Sequence, residues 1–268
     1  MHIFAKIFLL VAVCCFSHAY GVMPSAENKD IYFYQCTNNQ YVYCEPGSEL
    51  IAQEIGESLD DSKKMIEEKQ LPFVGNQKFY VYQSLENFLK NTGANGYMKA
   101  VVIHQSIHIS PTINSFHEFG AYDDTIKKII VHELSHLNLL QNYGEETYHE
   151  IPSWFIEGLA TYSSGGAGAE SVTATQARNL LAEGIGFSPG KDYEFPTKSG
   201  VIKINPQIYY KQAESFVRFI YEIKPIKFKK LIVSMRDGKN FYDVFFETYQ
   251  LSVFDMWRLY INQVLRDY

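Results

Sequence analysis

Residues 125–140 constrain the fold most, because they combine the apolar pattern of a buried helix with two histidines on one face. Apolar side chains recur there at the three- and four-residue spacing of a helix, at Ile126, Ile129, Ile130, Leu134, Leu137 and Leu140. Side-chain oxygens that can cap the start of this helix are provided by Asp123, Asp124 and Thr125. Gly144 is its expected end.

The two histidines of this helix, His132 and His136, are four residues apart, so their imidazoles lie about one turn apart on the same face. Two neutral imidazoles at that spacing can bind one metal ion. Glu133 lies beside them in an H-E-x-x-H pattern, where its carboxylate can reach a water molecule at the metal. The pattern predicts a metal site with an adjacent general base.

A carboxylate on a second helix completes the predicted ligand set. Residues 151–162 favour a helix that begins at Pro152 or Ser153 and carries Glu157. The chain between the two helices is long enough to reverse and return beside the first. Two histidines and one glutamate leave one of the four coordination positions of zinc open, which is typical of a catalytic site. We therefore expect Glu157 to join the two histidines around one Zn²⁺ ion.

Two motifs carry a resemblance to a known family. The sequence His-Glu-Leu-Ser-His at 132–136 and the sequence Trp-Phe-Ile-Glu-Gly-Leu-Ala-Thr-Tyr at 154–162 resemble those of the gluzincin metallopeptidases, and more narrowly the peptidase MA-like domains. Residues 210–216 are a weaker third match, and the resemblance covers roughly residues 78–265. It implies a zinc-dependent peptidase that acts on a peptide or protein substrate.

The resemblance also implies a fold and a domain organisation. The expected fold is α+β and zincin-like, with a small mixed sheet and the metal-binding helix in the amino lobe and a mainly helical carboxyl lobe. One metallopeptidase unit is expected over residues 20–268. Its hairpin and α/β lobe occupy 20–122, and its metal-site helices and helical lobe occupy 123–268.

Roles for individual residues follow from the resemblance. Glu133 is the expected general base, and Tyr210 is the expected second donor to the oxyanion, with the adjacent Tyr209 as the alternative. If Glu157 faced away, His149 or Glu146 in the intervening loop would supply the third ligand. The remaining histidines, His104, His108 and His117, show no comparable spacing and are expected on the surface or in the sheet.

The chain departs from the better-known zinc peptidase patterns at three places. Thermolysin-like enzymes carry an aspartate four residues after the third ligand, where this chain has Thr161, so a different group is expected to orient the imidazoles. The chain lacks the Gly-Ala-Met-Glu-Asn segment that binds a substrate amino terminus in alanyl aminopeptidases. The metzincin pattern also fails, because it requires Gly and His where this chain has Leu139 and Asn142.

The amino terminus predicts export. A basic start with Lys6 precedes a short apolar run and the small residues Ser17 and Ala19, which indicates a signal peptide over residues 1–19. The run of about ten apolar residues is too short to span a membrane. A lipid anchor on Cys14 or Cys15 is disfavoured, because Val13 fits a lipoprotein cleavage site poorly. The mature protein is therefore expected to be secreted or periplasmic, without stable membrane insertion.

The two cysteines that remain after the leader indicate a disulfide. Cys36 and Cys44 flank an Asn-Asn pair between aromatic and β-branched residues, which favours a hairpin stapled by a disulfide bond in an oxidising compartment. A zinc site there would need two further ligands, and the sequence offers none nearby. With a net charge of −6 and no basic block, the sequence disfavours a nucleic-acid partner.

The other segments are assigned from their periodicity and punctuation. Helices are expected over 47–70, 85–90, 173–183, 207–223, 227–236, 241–249 and 252–266, and strands over 78–82, 97–103 and 107–110. Leu50, Ile51, Ile55, Leu59 and Ile66 are expected on the inner side of the first helix. Residues 106–110 are the expected sheet edge for an extended substrate. Residues 163–169 favour a surface loop over a lid, and 184–205 form a long irregular connection.

Two other function classes compete with a peptidase. A catalytically silent secreted binding protein could retain the zincin fold, although the intact Glu133 argues against it, since a structural metal site needs no base. A zinc hydrolase that cleaves cell-wall or other amide bonds is the weaker alternative.

Overall fold

The chain folds into an α+β arrangement, in which a small mixed sheet precedes a mainly helical half. The computed structural model describes residues 31–114, 124–189 and 205–266. The predicted signal peptide, Cys14, Cys15, His117, Asp123 and residues 190–204 of the long connection lie outside the described residues. None of the described helices combines the length and the apolar character that a bilayer crossing requires.

The five strands, and the two helices that connect some of them, occupy the first part of the chain. The strands are β1 (Tyr34–Gln35), β2 (Val42–Cys44), β3 (Lys78–Val81), β4 (Ala100–Ile103) and β5 (Ser106–Ile109). Helix α1 (Glu49–Glu67) follows β2, helix α2 (Leu85–Thr92) follows β3, and a 3₁₀ turn (Pro111–Asn114) follows β5.

The order of strands corrects the prediction of the sheet edge. The order is β1-β2-β3-β5-β4, with β2, β3 and β5 parallel and with β1 and β4 antiparallel to their neighbours. The prediction that residues 106–110 form an edge is wrong, because β5 lies between β3 and β4. The edge on that side is β4, which pairs with β5 through a tight hairpin at His104 and Gln105.

The predicted hairpin and disulfide at the start of the chain are confirmed. Strands β1 and β2 pair in antiparallel fashion, and a disulfide joins Cys36 to Cys44. Cys44, the last residue of β2, is fully buried in the core beneath the sheet. A disulfide of this kind is typical of an oxidising compartment.

Helix α1 and the helix that carries His132 and His136 pack against the sheet and bury its apolar face. The inner side of α1 is formed by Ile51, Ala52, Ile55, Leu59, Ser62 and Ile66. The prediction for Leu50 is wrong, since its side chain is 67% exposed. The buried positions of α1 span an arc of about 100° from Ile51 to Ala52, and Leu50 lies about 100° outside that arc.

The helical half consists of α3 (Asp124–Glu150), α4 (Ser153–Ser163), α5 (Ala174–Ala182), α6 (Pro206–Ile223), α7 (Pro225–Ser234), α8 (Phe241–Tyr249) and α9 (Val253–Arg266), with a 3₁₀ turn (Met235–Asp237) after α7. Their shared core is rich in aromatic side chains. Trp154, Phe155 and Phe216 are fully buried there, and the Trp154 and Phe216 ring centroids lie 5.1 Å apart. This core fixes α4 against α6, which is the packing that presents the candidate site.

Two segments next to the site differ from their predictions. Gly144 interrupts α3 with φ 77 and ψ 166, as the predicted end required, but the chain then resumes a helical path to Glu150. The loop over residues 163–169 was expected on the surface. That expectation is wrong, since Ser163, Ser164, Gly166, Ala167 and Ala169 are buried.

Candidate metal centre

Helix α3 presents the two histidines on its buried face. His132 and His136 are 4% and 3% exposed, and their ring centroids lie 4.8 Å apart. The burial follows from the sequence, because Leu139 and Leu140 flank the histidine side and pack into the core of the helical half, while Ile130, Leu134 and Leu137 pack the opposite side against the sheet. The i, i+4 spacing therefore delivers two imidazoles into an enclosed site.

Helix α4 brings a carboxylate to the same point. Glu157 is 4% exposed, and its Oε2 lies 3.4 Å from Nε2 of His132 and 3.6 Å from Nε2 of His136. One ligand atom from each of the three side chains lies within 4.8 Å of the others. The structure thus assembles the three predicted ligands into a cluster that could hold one metal ion.

The chemistry of this cluster fits a divalent cation. Apart from its contacts with the two Nε2 atoms, the buried Oε2 of Glu157 has no hydrogen-bond partner within the described part of the chain, and a buried carboxylate is costly unless a positive charge balances it. A cation bound by the two Nε2 atoms and this oxygen would remove that cost. Two imidazole nitrogens and one carboxylate oxygen are a donor set that zinc accepts.

The protonation of the two histidines is set by burial and by the nearby carboxylates. Burial lowers the pKa of His136 to about 4, which keeps its imidazole in the neutral, metal-binding form. Burial also opposes charge on His132, but the carboxylates of Glu157, Glu133 and Glu170 outweigh it and raise the pKa of His132. A bound cation would take the place of that proton between His132 and Glu157.

Glu133 lies beside the cluster and is not one of its three ligand residues. Its side chain is 4% exposed. Burial, with a smaller contribution from the Glu157 carboxylate, raises the pKa of Glu133 to about 7. A carboxyl group in this buried position, one residue from His132, can accept a proton and return it, which general acid–base chemistry requires.

Tyr210 lies at the site on helix α6. Its side chain is 2% exposed, and its ring centroid is 6.2 Å from that of His132. The ring of the neighbouring Tyr209 instead packs against Phe187, at 5.5 Å between centroids. Burial, and secondarily Glu157, raises the pKa of Tyr209 well above its ordinary value. Tyr210 is thus the tyrosine whose ring contacts a predicted ligand.

The loop over residues 163–169 lines the same site. A Cβ atom added to Gly168 would lie 3.2 Å from Cδ2 of Tyr210 and 3.8 Å from Cε1 of His132. The N–H of Gly168 donates to the Glu170 carboxylate at 2.9 Å. Gly168 also has φ +82, a conformation that favours glycine, so its backbone can lie against both rings. The sequence indicated a loop here but not its position beside these two rings.

The alternative third ligands are not part of the cluster. Glu146 and His149 are both exposed, whereas the three clustered residues are buried. Thr161 occupies the position where thermolysin-like enzymes carry an aspartate. It is fully buried, and its Oγ1 makes no hydrogen bond within the described residues. Nδ1 of His132 is also buried and makes no hydrogen bond there.

Sequence reasoning also missed Tyr148. The hydroxyl of Tyr148 lies 3.1 Å from Nδ1 of His136, and both side chains are buried. No spacing rule indicates this contact, because it depends on the break at Gly144.

Comparison with known proteins assigns no family: no family model matches the chain, and no curated protein sequence matches it.

Proposed function

We propose that this protein is an exported zinc-dependent peptidase of the gluzincin type. The observation that carries the proposal is the convergence of His132, His136 and Glu157 within 4.8 Å, with the buried Glu133 carboxyl beside them. A metal site that only stabilised the fold would not require that carboxyl group. The donor set supports zinc over Mg²⁺ or Ca²⁺, which prefer oxygen ligands.

The proposal assigns a role to each of the chain's own residues at the site. Zinc, when bound, supplies Lewis acidity that polarises a carbonyl group and favours deprotonation of water. Glu133 accepts the proton from the attacking water and then delivers it to the amine of the leaving peptide. Tyr210 donates its hydroxyl proton in a hydrogen bond to the oxyanion that develops on the scissile carbonyl.

The sheet edge beside the metal helix supports a peptide as the substrate. Among the described strands, β4 pairs with β5 alone, so its other side leaves backbone groups with which an extended chain could pair. Val102 on β4 packs against the core beneath the sheet and also against the aromatic core of the helical half. The strand therefore lies where the sheet and the helical half meet. An extended peptide paired with β4 would run along this junction.

The proposal also includes export of the protein from the cytoplasm. The Cys36–Cys44 disulfide supports an oxidising environment, and the predicted leader over residues 1–19 supplies a route to it. A secreted or periplasmic location follows from the two together.

The decisive experiment is cleavage of casein and of a mixed peptide library, followed by mass spectrometry. We expect cleavage by the zinc-loaded protein, loss of cleavage with a chelator, and recovery when zinc is restored. Glu133→Gln should lower kcat by about 10²- to 10⁴-fold while zinc binding persists, because the base is lost and the ligands are not. Glu146→Gln, which changes an exposed glutamate in the same way, should cleave like the wild type.

Two outcomes would contradict the proposal. Stoichiometric zinc with no cleavage of any library member would favour the silent binding protein over the peptidase. Cleavage that resists both the chelator and Glu133→Gln would place the activity at another site.

A further inference from the structure

The break at Gly144 returns the chain to the metal centre. In an uninterrupted helix, residue 148 would lie about 18 Å beyond residue 136 along the axis, out of reach of its imidazole. The non-helical φ 77 and ψ 166 of Gly144 redirect the end of α3. The Tyr148 hydroxyl consequently lies 3.1 Å from Nδ1 of His136.

The contact involves the nitrogen that faces away from the ligand cluster. Nε2 of His136 faces Glu157 at 3.6 Å, and Nδ1 faces Tyr148. The Tyr148 side chain is 4% exposed, so this contact is shielded from solvent. A neutral imidazole that binds a metal through Nε2 carries its proton on Nδ1 and can donate it to this hydroxyl.

We propose that Tyr148 is a positioning residue for the metal ligand His136. Its hydroxyl oxygen accepts a hydrogen bond from Nδ1–H, which selects the tautomer with a free Nε2 and fixes the orientation of the ring. The inference rests on the metal centre of the proposed function, but it does not require that the protein cleave peptides. Groups that orient a ligand in this way commonly contribute to metal affinity.

The two histidine ligands differ in this respect. Nδ1 of His132 is buried and makes no hydrogen bond within the described residues, and the hydroxyl of the buried Thr161 makes none there either. Thr161 therefore does not replace the aspartate that orients a ligand histidine in thermolysin-like enzymes. Of the two ligand histidines, His136 is the one that a protein hydroxyl holds at its second nitrogen.

A second buried tyrosine on α3 provides a matched control. The hydroxyl of Tyr143 donates to the carbonyl oxygen of Ile232 at 2.8 Å, so its hydrogen bond goes to the helical half and not to a ligand histidine. Tyr143→Phe and Tyr148→Phe each remove one buried hydroxyl from the same helix. If loss of a buried hydroxyl impairs folding in general, both variants should show it. A loss of metal affinity should appear in Tyr148→Phe alone.

The test measures zinc affinity by competition with a chromogenic chelator, and the visible spectrum of the Co²⁺-substituted protein. Tyr148→Phe should bind zinc about 10- to 100-fold more weakly than the wild type and should show an altered Co²⁺ spectrum. Tyr143→Phe should match the wild type in both measurements. Equal zinc affinity in Tyr148→Phe and the wild type would overturn the inference.

A measurement on the wild type does not depend on the folding of any variant. Long-range ¹H–¹⁵N correlation spectra of the zinc-loaded protein should show the His136 proton on Nδ1, in slow exchange with solvent. A proton on Nε2 would overturn the inference. Zinc binding without peptide cleavage would contradict the peptidase alone, whereas a wild type that binds no zinc would overturn both proposals.

Discussion

A Cβ atom built on Gly158 would lie 2.6 Å from the backbone carbonyl oxygen of Ala213, so α4 and α6 are in direct backbone contact. This contact adjoins the functional residues of both helices. Glu157 immediately precedes Gly158, and Tyr210 lies one helical turn before Ala213. The close approach therefore fixes the distance between the third predicted ligand and the predicted oxyanion donor.

Gly158→Ala should destabilise the protein, because the added methyl group would meet backbone that cannot rotate away. We expect a loss of about 1–3 kcal/mol in the free energy of unfolding, measured by chemical denaturation. Gly96→Ala is the control, since a Cβ atom there meets nothing within 4 Å. An unchanged stability in Gly158→Ala would show that the helices can separate without cost.

The local parts of this arrangement were predictable from the sequence, because they depend on short-range patterns. The spacing of His132 and His136 fixed their common face, and the cysteine pair indicated the hairpin. Glu157 was predictable from residue type and helix order. Each of these inferences needs only the periodicity of a helix or strand and a chain long enough to reverse.

The parts that failed depend on contacts between distant segments. The edge position belongs to β4, because β5 pairs with β3 in parallel and β4 adds beyond it, and no local pattern encodes that order. The role of Tyr148 depends on the direction of the chain after Gly144. The burial of the loop over residues 163–169 depends on α6, which follows it in the sequence.

Tyr210→Phe should reduce the rate of peptide cleavage without reducing zinc affinity, because the phenol acts on the substrate and is not one of the three ligands. A fall in kcat of about 10²- to 10³-fold is expected for loss of one oxyanion donor. Tyr209→Phe removes the hydroxyl from the adjacent ring that packs on Phe187, and it should retain most of the rate. A larger loss in Tyr209→Phe would reassign the donor to Tyr209.

The stability of the protein should fall between about pH 6.5 and pH 4 through His108. Burial, and secondarily the charge of His104, lowers the pKa of His108 to about 4, whereas an unfolded histidine titrates near pH 6.5. The unfolded state therefore binds more protons in this window, so stability is present above it and is lost as the pH falls. The contribution is at most about 3 kcal/mol.

The measurement for His108 is the free energy of unfolding at a series of pH values with saturating zinc. His108→Gln should flatten the decline between pH 6.5 and pH 4, because it removes the titrating group. His104→Gln replaces an exposed histidine of the adjoining hairpin turn and should leave most of the decline. A curve of unchanged slope in His108→Gln would refute the assignment.

Zinc binding by Glu157→Gln tests the central claim most directly. The wild type should bind one zinc ion per chain, and the amide should weaken binding by more than about 100-fold, the upper range for residues that only orient a ligand. Glu146→Gln and His149→Ala should bind zinc like the wild type. A wild type that binds no zinc, or a Glu157→Gln variant that binds zinc as tightly as the wild type, would contradict a centre formed by His132, His136 and Glu157.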